Sequence, residues 1–151
     1  SQFTGAVSNN NQDEEKQFDE YVLKLKEQRQ RGWKISGKWD TPPPMVNQPA
    51  SFTFIAKDKA GNAITGATLT TDFRRSSDMK QDTLVTFKES SGGVYSATLT
   101  LPLAGCWTMK VLLKKGYDEH EIKGETEIST RVDGKLVTPE CSIGEPDIDP
   151  N

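Results

Sequence analysis

Apolar and polar positions change their period near residue 32. Upstream, in "DEEKQFDEYVLKLKEQRQRG", Phe18, Tyr21, Val22 and Leu25 recur at i, i+3, i+4 and i+7, which makes one apolar stripe along a helix. Acidic residues crowd the start of this segment, and Lys24, Lys26, Arg29 and Arg31 crowd its end, in the sense that complements a helix dipole. Gly32 is a natural stop. The spacing predicts an amphipathic helix over 13–31 that packs on the domain after it.

Downstream the pattern alternates. "WKISGKW" reads as a short strand, and "TPPPMVNQP" as a stiff extended connector with no helix possible. "SFTFIAKD" puts Phe52, Phe54 and Ala56 on one face, and "ATLTTDF" does the same with Ala67, Leu69, Thr71 and Phe73. "RRSSDMKQD" reads as a polar loop, and "TLVTFKE" places Val85 and Phe87 together. The most strongly patterned stretch is "GGVYSATLTLPLAGCWTMKVLLKKG", in which two strand-like runs look like a hairpin about Pro-Leu-Ala-Gly. Tyr95, Ala97, Leu99 and Leu101 share one face of its first run; Trp107, Met109, Val111 and Leu113 share one face of its second. By parity Trp107 belongs to the core and Cys106 to the solvent side. "HEIKGETEIST" alternates again, and "VDGK" makes a last hairpin turn.

One amphipathic N-terminal helix followed by about seven short strands, with turn signals between them, argues for an all-β fold: an antiparallel immunoglobulin-like β-sandwich. Clean alternation is what a sheet with one wet face shows. Residues 1–12 are polar, Asn-rich and without period, and read as a disordered leader or an expression remnant. The sandwich is expected over 32–138, with Trp33, Tyr95, Trp107 and Met109 in its core, and 139–151 as an acidic, Pro-rich tail.

Composition narrows the function more by exclusion than by assignment. Hydrophobic residues make up 33% of the 151, low for a compact enzyme, and the net charge of −3 gives no electrostatic case for binding nucleic acid. No apolar run is long enough to span a bilayer. The first residue is Ser, so the chain is expected to be processed or truncated. Cys106 and Cys141 each lie at the edge of an element or in a loop with no third ligand nearby, which favours a disulfide over free thiols, and free thiols over a metal role.

Soft or imidazole donors that could hold copper are Met45, Met79, Met109, His120 and the two cysteines, and no two are close in sequence. Met109 falls on the core face. Met79, in the polar loop, and His120, flanked by Asp118, Glu119 and Glu121 and read as a surface histidine, are the weak metal candidates. "DEHEIKGE" is not a zinc-protease helix, because no second imidazole follows, and nothing near His120 makes a nucleophilic triad. No enzyme and no cofactor is expected. Protein contact remains, and Arg74, Arg75 and Met79 combine types that serve well at interfaces.

The order of the elements resembles the FixH family, whose soluble domain is related to YtkA-like immunoglobulin-type modules. A helix runs into Gly32-Trp33, and a strand ends in Phe73-Arg74-Arg75 before a polar stretch with Asp82. Then come Gly93-x-Tyr95-x-Ala97, Leu101-Pro102 and Gly105-x-Trp107, so the likeness covers roughly residues 17 to 115. It implies a periplasmic sandwich of a protein anchored to the inner membrane, an accessory factor for the assembly or copper loading of a high-affinity haem-copper respiratory oxidase. Implied partners are a membrane protein complex, either oxidase subunits or a copper-transporting ATPase. Two other readings stand beside it: a secreted or surface immunoglobulin-like module binding another protein or carbohydrate, and a copper chaperone domain.

Overall fold

A computed structural model of the chain describes residues 4–75 and 78–141, with side chains over 14–75 and 82–141. Helix α1 spans Thr4–Arg31. It begins upstream of the 13 that its stripe predicts and takes up most of the segment expected as a disordered leader. Residues 4–12 carry no apolar period, so no pattern could announce that turn of helix. The acidic group therefore sits in mid-helix, the first turn holds no acid, and only Arg29 and Arg31 in the last turn oppose the dipole.

Seven antiparallel strands follow: β1 Lys34–Trp39, β2 Ala50–Lys57, β3 Thr68–Arg75, β4 Asp78–Ser91, β5 Val94–Leu99, β6 Gly105–Lys115 and β7 Asp118–Ile128. Their order is β1-β2-β5-β4-β3-β6-β7, one sheet curled on itself. The curl occurs within β4. Thr83 to Phe87 pair with β3, whereas Lys88 to Ser91 pair with β5. The half containing β1, β2 and β5 thus faces the half containing β3, β6 and β7, which is the immunoglobulin arrangement of layers. A small hairpin of β8 Thr130–Val132 and β9 Lys135–Val137 closes the described chain. Asp133 and Gly134 both have positive φ (51° and 77°), as a two-residue hairpin turn needs.

Two sequence expectations change. "RRSSDMKQD" is not a loop in its backbone: β3 runs through Arg75 and β4 starts at Asp78. Polarity misled here, because strand pairing is made by backbone groups and needs no apolar face. Nor do the runs about Pro-Leu-Ala-Gly form a hairpin. β5 pairs with β2 and β4, and β6 with β3 and β7, so residues 100–104 carry the chain from one layer to the other. Alternation fixes which side chains point inward but is blind to which strand is the neighbour.

Inward positions match the alternation. Phe52, Phe54, Ala56, Leu69, Phe73, Phe87, Tyr95, Leu99, Trp107, Met109, Val111 and Leu113 are buried, and so is Trp33 after the helix. Phe52, Phe54 and Phe87 meet edge-to-face or tilted at 4.7–6.3 Å between ring centroids. Gly37 on β1 allows this: a Cβ there would lie 2.5 Å from Phe52 and 2.6 Å from Phe54. Trp39 joins the two sheet edges. It stacks edge-on against Phe52 and donates its indole N–H to Thr126 Oγ1 of β7 at 2.8 Å. A disulfide between Cys106 and Cys141, with Cα atoms 5.5 Å apart, ties the segment after β9 back to β6. Residues 142–151 of the expected acidic tail lie outside the described residues.

Candidate functional site

The residues singled out for chemistry do not converge. Arg74 is exposed on the outer face of β3, with Asp72 Oδ2 at 2.8 Å and Asp82 Oδ2 at 3.7 Å. Its hydrogen bond to Asp72 raises its pKa above the usual arginine value. Arg75 points the other way. Its guanidinium lies 5.9 Å from the Trp107 ring centroid and donates to the carbonyl of Ala104, so it clamps the turn that enters β6. The side chain of Met79 lies outside the described residues. Arg74 and Arg75 therefore do not share a patch.

His120 is a correction. It is fully buried, with its ring centroid 6.1 Å from that of Trp33, rather than a surface residue among acids. The flanking acids turn outward, while His120 lies opposite Leu113 and Ile122 lies opposite Val111. That parity was readable in "HEIKGETEIST"; the charged neighbours were the misleading signal. Met109 is buried, Met45 is half-buried, and both thiols are spent in the disulfide. Among the described residues no set of three His, Cys, Asp or Glu side chains is placed to hold a metal ion.

What the structure does present is the helix. Among the described residues its C-terminal end is the part that docks by hydrogen bonds. The buried Gln28 donates its side-chain N–H to Glu121 O at 2.9 Å and accepts from Glu121 N at 2.8 Å. Arg31 donates to Glu119 O, approaches Asp118 at 3.5 Å and lies 5.2 Å over the Trp33 ring. β7 is an edge strand, and these two side chains take up backbone groups that a further strand would otherwise use. The end of the helix is thus seated on the edge of the sheet.

Further up, the apolar stripe leaves the body. Val22 and Leu25 are half-buried, but Phe18 is 65% and Tyr21 45% exposed, and Leu23 off the stripe is 55% exposed. Tyr21, Leu25, Lys110 and Leu112 line a shallow groove of about 220 Å³ between α1 and β6. Gln28 was missed from the sequence although it stands three residues after Leu25, on the same stripe; a polar residue at a stripe position is the signal. Among the described residues, no helix is long and apolar enough to cross a membrane.

An immunoglobulin-like sandwich with a helix docked on the edge of its sheet is the class of protein that the fold defines. The chain belongs to the FixH family of periplasmic accessory domains: the family model described as FixH matches residues 1–128. As a member it is non-catalytic. No curated protein matches. Among solved structures it is similar to FdeC, an Escherichia coli adhesin, at 23% identity with a TM-score of 0.43, covering 71% of this chain and 32% of that one. It is also similar to BslA, a bacterial hydrophobin, at 11% identity with a TM-score of 0.36, covering 66% of this chain and 100% of that one. The chain thus spans about a third of the adhesin chain, and neither likeness carries a functional argument.

Proposed function

We propose that this domain is the periplasmic part of a protein anchored to the inner membrane that assists assembly or copper loading of a high-affinity haem-copper respiratory oxidase. It acts through protein contacts. Membership of the FixH family over residues 1–128 carries the reading. Its mode follows from how the soft donors are used: Met109 and His120 are packed in the core and the cysteines are joined, so copper handling by the described residues has few donors left. The exposed Phe18, Tyr21 and Leu23 offer what a membrane-protein partner would cover, aromatic and aliphatic area beside charge. Oxidase subunits or a copper-transporting ATPase are the partners this reading names. A secreted or surface binding module has no observation of its own in support.

The test is complementation. Cells lacking the gene receive the parent protein, either unchanged or with Phe18→Glu and Tyr21→Glu. The expected result is a variant that accumulates normally while membrane oxidase activity and copper content fall towards those of the deletion. Full oxidase in the variant would remove the helix from the contact. Full oxidase in the deletion strain would remove the assembly role altogether.

A further inference from the structure

The outer face of β1, β2, β5 and the end of β4 gathers four lysines. Register places Lys38, Thr53, Ser96 and Lys88 in one row across those strands. Lys34 stands directly opposite Lys57, and the row between holds Ser36, Ile55 and Val94. Lys34, Lys38, Lys57 and Lys88 are all exposed. Among the described residues none of these ammonium groups is in an ion pair, whereas the opposite face pairs Arg74 with Asp72, Lys110 with Glu121 and Lys114 with Glu119. The carboxylate that touches the rows is Asp40, which accepts a hydrogen bond from Thr53 Oγ1 at 2.7 Å. Thr53 and Ser96, 3.0 Å apart, stand between Lys38 and Lys88, and Ser51 and Thr98, 2.7 Å apart, form the next row.

Positive charge is thus gathered on one face of a chain whose net charge is −3. Like charges directly opposite on neighbouring strands repel, and the repulsion between the exposed Lys34 and Lys57 meets no ion pair among the described residues. An external anion would offset it. We propose that this face lies flat on an anionic lipid surface, with headgroup phosphates taken by the lysines and the hydroxyls between them. A headgroup layer asks only for spaced cations and hydrogen-bond groups on a flat surface. A protein partner asks for a central apolar or aromatic anchor, and here Ile55, 42% exposed, is the largest apolar side chain in the rows. The inference goes beyond the assembly role and does not depend on it.

The purified chain is sedimented with vesicles of phosphatidylcholine alone and of phosphatidylcholine mixed with phosphatidylglycerol. It is expected to follow the mixed vesicles only, and to be released as salt is raised. Lys34→Glu with Lys57→Glu, and separately Lys38→Glu with Lys88→Glu, should each weaken partitioning by about tenfold or more. Lys135→Glu, on the β8–β9 hairpin, should leave it unchanged. Far-ultraviolet dichroism checks that each variant is folded. No partitioning, or partitioning that survives both double substitutions, overturns the proposal. Capture of polyglutamate by the same lysines without vesicle binding also overturns it and gives the face to an acidic protein.

Discussion

Tyr95 shows how much one hydroxyl holds at the residue scale. Fully buried, it donates to Ile64 O at 2.7 Å and accepts from Ala67 N at 3.2 Å, pinning the connection between β2 and β3. Burial is the main reason its pKa is raised. Tyr95→Phe strands both backbone groups and should cost about 1–3 kcal/mol, read as a lower urea midpoint with unchanged slope. Trp107, with no exposed surface, packs in the core and donates its indole N–H to Leu103 O at 3.0 Å. Trp107→Ala should cost about 3–5 kcal/mol in the same experiment. Glu89 accepts hydrogen bonds from Gly93 N at 3.0 Å and Gly66 N at 2.9 Å, and these, Gly93's first, hold its carboxyl below the usual glutamate range. A depressed folded pKa means stability present above the unfolded value and lost as pH falls through the folded one. The stability gap between the parent and Glu89→Gln should therefore be constant near neutrality and close in acid, as denaturant midpoints against pH would show.

At the scale of elements, the helix and the disulfide are the two attachments to the sheet. The side-chain amide of Gln28 does for β7 what a neighbouring backbone would do, a donor and an acceptor to one residue. Gln28→Ala should release the end of the helix, costing about 1–3 kcal/mol. Hydrogen exchange would show it as lost protection at Glu121, while the amides of β3 stay protected. Equal protection at Glu121 in both proteins would mean that the helix docks by other contacts. The bond between Cys106 and Cys141 closes a loop with a sequence separation of 35. Cys141→Ala should lower stability by up to about 4 kcal/mol in the chain-entropy account. Limited proteolysis after β7 should then become fast, because the β8–β9 hairpin is exposed from Arg131 to Val137 and loses its tether.

At the scale of the whole molecule, the two halves of the curled sheet meet through side chains that were individually legible and through pairings that were not. The inward set from Phe52 to Leu113 follows from alternation, because a strand has a period of two whatever it pairs with. The helical stripe and its stop at Gly32 follow from the longer period. Loss of periodicity hid the first turns of α1, and polarity hid the strand character of residues 74, 75 and 78–82. Candidate chemistry was legible only by type. His120 and Arg75 look available as a list of residues, yet the first packs on Trp33 and the second over Trp107.

The sequence by itself determined the class of fold and the inward faces of its strands, both of which rest on local spacing along the chain. The tertiary structure decided which strands are neighbours: β4 serves both layers, and β5 and β6 part company across the sandwich. It also decided that the helix sits on the β7 edge and that lysines from β1, β2 and the end of β4 share one face. The physical reason is the same in each case. Local spacing sets which way a side chain points, but only the folding of the sheet on itself sets what it points at.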